Sequence, residues 1–373
     1  MATRVLVVGG GVIGLSCAWQ LARHGHPVTV VAPAPGRDGA SWVAAGMLAP
    51  VTEAQFGEAG LTGLLLEGAA GWKEFATTLE ETSGHDIGFD ESGTLTVGFD
   101  ASDRAHLDDL LAYQHSLGLT AHRRTASACR TMVPGLAPTL RGGIEVPGDH
   151  QVDNRALLAA LMAAGQASGV QFVEQSVTAL EPGPEPAVTL SEGSRLGADV
   201  VLLAAGTALP SIAGLEEAGL PEVRPLKGHI LRLGAAGTGP TASLLPRTVR
   251  GLVRGRSVYL VPRRDGSVVV GATVEERSDD GAVQAGAVHQ LLSDARAIVP
   301  AIDEMSLLEA RAGLRPATPD NAPSIGWTRR PGVAVATGHA RHGILLAPLT
   351  ASAMVALLGG QPLTPRIEAL APA

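Results

Sequence analysis

The sequence predicts an α/β protein of two interlocking domains, a parallel sheet flanked by helices and an antiparallel sheet inserted into it. Three observations carry this. A strand, a glycine-rich turn and a helix follow one another from Arg4 to Gly25; a continuous aliphatic run from Asp199 to Ala205 ends in Gly206; and from Gly228 onward the pattern changes to short alternating strands. With 373 residues the chain can bury a core in each domain, and 45% hydrophobic against 17% charged residues is a globular balance. Aromatic residues make up only 3%, so burial must be mostly aliphatic.

Composition also excludes several classes. The two cysteines, Cys17 and Cys129, lie far apart and in no metal-ligand spacing, which argues against structural zinc and suits a reducing compartment. Cys17 is expected in the core. A formal charge of −8 with scattered arginines disfavours nucleic acid, which needs a clustered basic face. The longest apolar runs, such as Val200 to Ala205 and Ile344 to Leu349, fall short of the roughly 20 residues a bilayer requires, so no membrane span is expected. Strand-like sequence beginning at Arg4 leaves no room for a leader, and the expected location is the cytoplasm.

In chain order, Arg4 to Val8 reads as a buried strand, Val12 to His24 as a helix ending at Gly25, and Val28 to Val31 as the second strand. After a turn from Pro33 to Gly39, the small apolar stretch Ala40 to Pro50 has too little amphipathic contrast for a surface element and reads as a segment lying against a ligand. Leu61 to Thr82 is expected to be helical, Gly93 to Phe99 an outward strand, and Ala101 to Leu117 a helix. Asn154 to Ser168 is again helical, with strands near Val170 to Glu174 and Val188 to Leu190. Asp199 to Ala205 suits the central parallel strand of a doubly wound sheet. Gly228 to Leu233 and Val258 to Thr273 form the antiparallel domain, turning at Arg264, Asp265 and Gly266. Val333 to Ala336 returns as a buried strand, and Gly343 to Leu358 is the final helix.

Gly9, Gly11 and Gly14 form G-x-G-x-x-G directly between a strand and a helix, the context in which this pattern binds a dinucleotide. The first glycine makes the tight turn, the second admits the pyrophosphate, and the third packs helix on strand. The helix N-terminus then favours the anion. A carboxylate for the ribose is usual at the end of the second strand, but Ala32 stands there, so Asp38 or backbone groups must substitute or the adenosine is held less firmly.

The run Ala40-Ser41-Trp42-Val43-Ala44-Ala45-Gly46-Met47-Leu48-Ala49-Pro50 with Thr52-Glu53-Ala54 resembles the flavin-contacting segment of the glycine oxidases in the D-amino acid oxidase family, the flavoenzymes of thiamine thiazole biosynthesis. Collinear matches continue through Gly148 to Asp153, Ala204-Ala205-Gly206, Tyr259 to Arg263, Gly271-Ala272-Thr273, Gly313 to Pro316 and Gly338 to Leu346, covering almost the whole chain. The resemblance implies a Rossmann-type FAD-binding domain with an inserted antiparallel-sheet substrate domain. The expected bounds are 1–85, 145–215 and 310–373 for the first and 86–144 and 216–309 for the second. It implies FAD contacts from Gly9, Gly11, Val12, Ile13, Gly14, Ala32, Pro33, Ala40, Ser41, Ala45, Gly46, Met47, Val177, Ala205 and Gly206, and from the loop His339, Ala340, Arg341, His342, Gly343, Ile344 and Leu345. Monomeric sarcosine oxidases tether their flavin through a cysteine in the C-terminal half, and none follows Cys129 here, so non-covalent FAD is expected.

The same resemblance assigns Arg315 to the substrate carboxylate, with Tyr259 and Arg341 beside it. Independently, a planar guanidinium binds a carboxylate through two parallel hydrogen bonds and stays charged when desolvated. A salt bridge is the other reading of Arg315, and cross-strand packing the other reading of Tyr259. Ala340 stands where relatives usually carry an aromatic residue, and His342 where asparagine is usual. His339 and His342, without a third ligand, make a poor metal site and read as hydrogen-bonding loop residues. The implied activity is oxidative deamination of glycine or another small amine, with O2 as acceptor, no enzyme base and possible homotetramers. D-amino acid oxidase, sarcosine oxidase or an acceptor-linked dehydrogenase are the alternatives.

Overall fold

A computed structural model describes residues 2–181, 183–234, 244–276 and 281–372. Its first sheet has six strands in the order Ser324–Trp327, Val333–Thr337, Val200–Leu203, Val5–Val8, Val28–Val31 and Gln171–Val173. All pairs are parallel except the edge strand Ser324–Trp327. The chain starts in the middle, winds outward through Val28–Val31, then crosses back to Val200–Leu203. That reversal opens a crevice at the carboxyl ends of Val5–Val8 and Val200–Leu203, where open α/β sheets bind ligands.

Alternation within these strands decides which layer each side chain meets. Val5 and Val7 face a core shared with the helices Val12–Arg23, Asn154–Ala167 and Gly343–Leu358, while Leu6, Val8, Val201 and Leu203 face the opposite side. That second side is covered by a three-stranded antiparallel sheet, Val177–Glu181, Ala187–Leu190 and Arg195–Gly197, rather than by helices. The doubly wound expectation is corrected to this extent. The apolar stretch Ala340–Leu358 is 19 residues long, but Ile344, Leu345, Leu346 and Met354 are packed in the core with Leu15 and Trp19 of the first helix.

The expected helix from Leu61 to Thr82 is two, Ala59–Ala70 and Trp72–Ser83, broken at Gly71. The break allows the Trp72 indole N–H, buried, to donate to the Leu345 carbonyl at 2.8 Å. An indole buried without an acceptor would be costly, which ties this helix pair to the last helix.

The second sheet has eight strands, in the order Ser306–Ala317, Arg224–Gly234, Val268–Gly271, Arg256–Pro262, Thr248–Val253, Thr94–Gly98, Gly143–Val146 and His122–Arg124. It is antiparallel apart from the Thr248–Val253 pairing with Thr94–Gly98. Thr94–Gly98 is not an outward strand: Leu95 and Val97 are fully buried, because strands flank it on both sides and its inner face meets the core. The bounds expected at 144/145 and 309/310 fall inside Gly143–Val146 and Ser306–Ala317. Arg315 is therefore carried by the eight-stranded sheet.

One face of this sheet packs on the helix Ala285–Ile298 through Leu231, Val258, Leu260, Val268 and Val270. The other face presents Ile230, Tyr259, Val261 and Val269 to Val43, Ala45 and Met47 of the first domain. The period of two along each strand produces this division, and a one-residue slip would invert it.

Helix-on-strand packing at the glycine turn is testable. A Cβ on Gly14 would lie 2.0 Å from the Gly9 carbonyl oxygen, so Gly14→Ala must push the first helix off its strand. Gly14→Ala is expected to destabilise by about 3 kcal/mol in urea unfolding. The exposed Gly60, whose added Cβ meets nothing within 4 Å, is the control, with Gly60→Ala neutral or stabilising by about 0.5 kcal/mol.

Candidate functional site

The site begins at the glycine turn. Gly9 has φ +119°, a conformation other residues rarely adopt, and a Cβ there would meet the Ala204 carbonyl oxygen at 2.3 Å. The turn thus lies against the Ala204-Ala205-Gly206 end of the neighbouring strand. No side chain of its own caps the first helix; instead the Val12 N–H donates to the Ser41 hydroxyl at 3.0 Å. The helix has no acidic residue in its first turn, so its remaining amides and dipole favour an anion.

Ala32 is buried and its N–H donates to the Val173 carbonyl at 3.1 Å. Asp38, like Pro33, is exposed, and its side chain makes no capping bond to the short helix Gly39–Val43. Val177 packs in one apolar cluster with Ala205 and Val173. Gly9, Ala32, Ala205 and Gly206 thus follow the carboxyl ends of three adjacent strands, and Val177 packs against the same apolar cluster as Ala205.

The segment Ala40–Met47 runs from this crevice to the face of the eight-stranded sheet, and polar groups hold it along its length. Asn154 Nδ2 donates to the Ser41 and Trp42 carbonyls at 2.8 and 2.9 Å. Gly46, at φ +77°, comes so close to Val152 that a Cβ would lie 1.9 Å from that residue's carbonyl oxygen. The buried Arg263 donates to the Ala45 carbonyl at 2.7 Å and to Gln151 Oε1 at 3.2 Å. The Arg264-Asp265-Gly266 turn beside Arg263 is legible in the sequence, whereas the reach of the Arg263 guanidinium to Ala45 and Gln151 has no local signal.

Across the sheet face, Arg315, Gly228, Gly271, Tyr259 and Arg250 form a row on five adjacent strands. Gly228 pairs with Gly313, Gly271 with both Ile230 and Tyr259, and Tyr259 with Arg250. Arg315 lies over Gly228, where a Cβ would come within 2.3 Å of its guanidinium, and Tyr259 lies over Gly271 at the same separation. The two glycines let the arginine and the phenol lean towards each other. Arg315 donates to the Thr273 carbonyl at 3.3 Å, and among the described residues no carboxylate lies within ion-pair distance of it. Burial pushes the Tyr259 phenol above its ordinary pKa, against the pull of Arg315 and Arg250, so it stays a hydrogen-bond donor.

The other guanidinium groups are paired. Arg250 meets Glu53 Oε1 at 2.5 Å, Arg341 meets Glu53 Oε2 and Glu58 Oε2, each at 2.8 Å, and Arg263 lies 3.4 Å from Asp153. Arg341, expected beside the substrate, is thus held by two carboxylates. Burial opposes the Glu53 charge, but Arg250 and Arg341 together hold its carboxyl down to about 2. Arg250 and Glu53 had no assigned role in the sequence; the signal for Arg250 is a lone cation in the alternating strand Thr248–Val253, on the face that carries Tyr259.

The loop His339–Leu345 closes the row. Gly343 sits with Val12 Cγ1 4.0 Å from the Cβ it lacks, so this loop meets the start of the first helix. His339 Nε2 bonds the Thr350 hydroxyl at 3.0 Å. Burial lowers the His339 and His342 pKa values to about 3 and about 4, so both rings are neutral. His342 Nε2 is buried without a partner, a polar atom that a bound group with a donor or acceptor would satisfy. The open glycine turn, the held Ala45–Met47 strip and this unpaired nitrogen fit a long two-ended cofactor lying from the crevice to the sheet face.

The family described as FAD dependent oxidoreductase matches residues 4–357. The bifunctional protein ThiO/ThiG of Synechocystis sp. is 33% identical over 383 residues, covering 99% of this chain and 53% of its own length. The chain thus spans about half the length of the first curated relatives it matches. The crystal structure of glycine oxidase from Geobacillus kaustophilus superimposes with a TM-score of 0.90 at 29% identity, over 100% of this chain and 98% of that one. Iminodiacetate oxidase from Chelativorans sp. BNC1 superimposes with a TM-score of 0.87 at 27% identity, over 99% of both chains.

One buried carboxyl in the site gives a pH signature. Asp149 accepts from the Val51 and Thr52 amides at 3.0 and 2.8 Å, yet burial outweighs these bonds and raises its pKa to about 6. A folded pKa above the unfolded one means the native state holds more protons between the two values. Stability is therefore lost as pH rises through about 6. From about pH 4.5 to about pH 7 the protein is expected to lose roughly 2 kcal/mol more than Asp149→Asn. Urea unfolding of both across that range measures it, and parallel profiles would refute the assignment.

Proposed function

The chain belongs to the FAD dependent oxidoreductase family, and from that premise we propose that it oxidises glycine, or another small amine carrying one carboxylate, to the imine, which hydrolyses to the 2-oxo acid and ammonia. The observation that carries this reading is Arg315: a part-buried guanidinium with a phenol leaning towards it, cleared by two glycines and left without a carboxylate of its own. A cation in that state is a site for an anionic ligand, and its planar fork matches a carboxylate.

FAD, when bound, supplies the acceptor for two electrons and the Cα hydrogen. The residues proposed to hold it are Gly9, Gly11, Val12, Ile13 and Gly14 at the pyrophosphate, with Ala32, Pro33, Val177, Ala205 and Gly206 around the adenosine. Ala40, Ser41, Ala45, Gly46 and Met47 would hold the ring end, together with the loop His339 to Leu345. Arg315 and the Tyr259 hydroxyl bind the substrate carboxylate and so fix where its Cα lies. Val43, Ala45, Met47 and Ile230 line that position with apolar surface and exclude water. The neutral histidines leave the amine to shed its own proton before reaction, so no side chain need act as base. Both cysteines are buried and unpaired, which fits a cytoplasmic setting. The similarity to ThiO/ThiG supports a role in thiamine thiazole biosynthesis.

Anaerobic addition of glycine is expected to bleach the bound flavin, and an oxidised spectrum at saturating glycine would rule the reading out. Turnover of sarcosine, D-alanine and D-proline beside glycine separates the related oxidases, and peroxide yield per amine consumed separates O2 from another acceptor. Arg315→Ala should raise KM about a hundredfold or more while FAD stays bound.

A further inference from the structure

We propose that Glu53 sets the substrate class by charge: by occupying Arg250 and Arg341 it leaves Arg315 as the single cation for substrate, restricting the site to amines with one carboxylate. This deepens the proposed function and rests on it.

The geometry is specific. Glu53 is 12% exposed at its side chain and bridges two guanidinium groups from different parts of the chain, Arg250 at 2.5 Å through Oε1 and Arg341 at 2.8 Å through Oε2. Arg341 is further held by Glu58. Arg250 is the cross-strand partner of Tyr259, so it stands on the same sheet face, on the side of the phenol away from Arg315. Arg315 and Arg250, with Arg263, act on the Tyr259 phenol. Of these, Arg250 meets Glu53 and Arg263 meets Asp153, as Arg341 meets Glu53 and Glu58, and among the described residues Arg315 meets no carboxylate, a surplus of one. The surplus of one matches a carboxylate whose amine is neutral.

The remaining groups leave Arg315 as the cation without a carboxylate. Arg263 faces Asp153, Asp149 accepts from the Val51 and Thr52 amides and its charge acts on Arg250 as a further answer to that cation, and His342 is neutral. A second substrate carboxylate would approach a fully compensated Arg250 and the Glu53 charge, at a dielectric where each unit charge matters. The same fold in iminodiacetate oxidase carries a name with two carboxylates in its substrate, so the scaffold itself does not impose the limit.

The experiment uses the FAD-loaded protein and Glu53→Gln, which keeps the side chain's shape and removes its charge. Dissociation constants for acetate and malonate are read from the perturbed flavin absorbance, and kcat/KM is measured for glycine and iminodiacetate. Glu53→Gln is expected to bind malonate about tenfold more tightly and to raise the iminodiacetate-to-glycine ratio by a similar factor. Glu53→Gln with Arg250→Gln should lose both gains. An unchanged malonate constant, or a gain that survives in the double variant, overturns the proposal. If Glu53→Gln does not hold FAD, Arg250→Gln alone tests the same count, with acetate binding about tenfold weaker and an unchanged constant overturning it. Failure of wild-type protein to oxidise glycine would instead strike the proposed function, because the acetate and malonate constants test the charge count without turnover.

Discussion

The guanidinium of Arg263 is the interaction on which the two-domain arrangement depends. It is 6% exposed, and a charge so buried is tolerated only when fixed acceptors surround it. Those acceptors come from elsewhere in the chain: the Ala45 carbonyl, Gln151 Oε1, and Asn154 Oδ1 at 3.4 Å. Asn154 passes the constraint on by donating to Ser41 and Trp42, and the Ser41 hydroxyl caps the first helix through the Val12 amide. A continuous line of hydrogen bonds thus joins the eight-stranded sheet to the glycine turn. Moving either sheet would strand a buried charge, so the crevice and the sheet face keep one relative position.

Seen from that line, Arg315 is the exception among the inward cations. Arg250, Arg263 and Arg341 each meet a carboxylate, and breaking such buried pairs is costly because one charge is left uncompensated. Among the described residues Arg315 has only the Thr273 carbonyl, on a residue whose hydroxyl accepts from the His229 backbone N–H at 3.0 Å. On the proposed function, a ligand carboxylate would supply that partner, and its binding would be coupled to the stability of the domain that presents the arginine.

Much of this was legible in the sequence where the determinants are local. The glycine spacing, the aliphatic run Val200–Leu203 and the turn at Gly266 each encode their structure within a few residues, and the helix Gly343–Leu358 has the bounds its pattern implies. The rest depended on partners far away in the chain. Thr94–Gly98 looks half-exposed until the strand Thr248–Val253 is laid beside it. Gly71 reads as one more tolerable glycine until Trp72 is seen to need the Leu345 carbonyl. Glu53 and Arg250 are separated by nearly two hundred residues, and no periodicity relates them. Resemblance supplied Arg315 and Tyr259, but residues that act by pairing with other side chains carry no pattern of their own.

The charges that surround Tyr259 are also insensitive to pH across the neutral range. Glu53 stays ionised down to about 2, the two loop histidines stay neutral above about 4, and the phenol is raised beyond its ordinary value. Asp149, at about 6, is the exception: it accepts from the Val51 and Thr52 amides and also acts on Arg250. The positive potential at the loop is then supplied by backbone N–H groups at the start of the helix Gly343–Leu358, which has no acidic residue in its first turn, and those do not titrate. For an amine ligand held by Arg315, the proton that changes hands above neutral pH is accordingly the ligand's own. On the proposed function, a neutral amine would meet an apolar strip there, while among the described residues Arg250, Arg263 and Arg341 each meet a carboxylate and Arg315 does not.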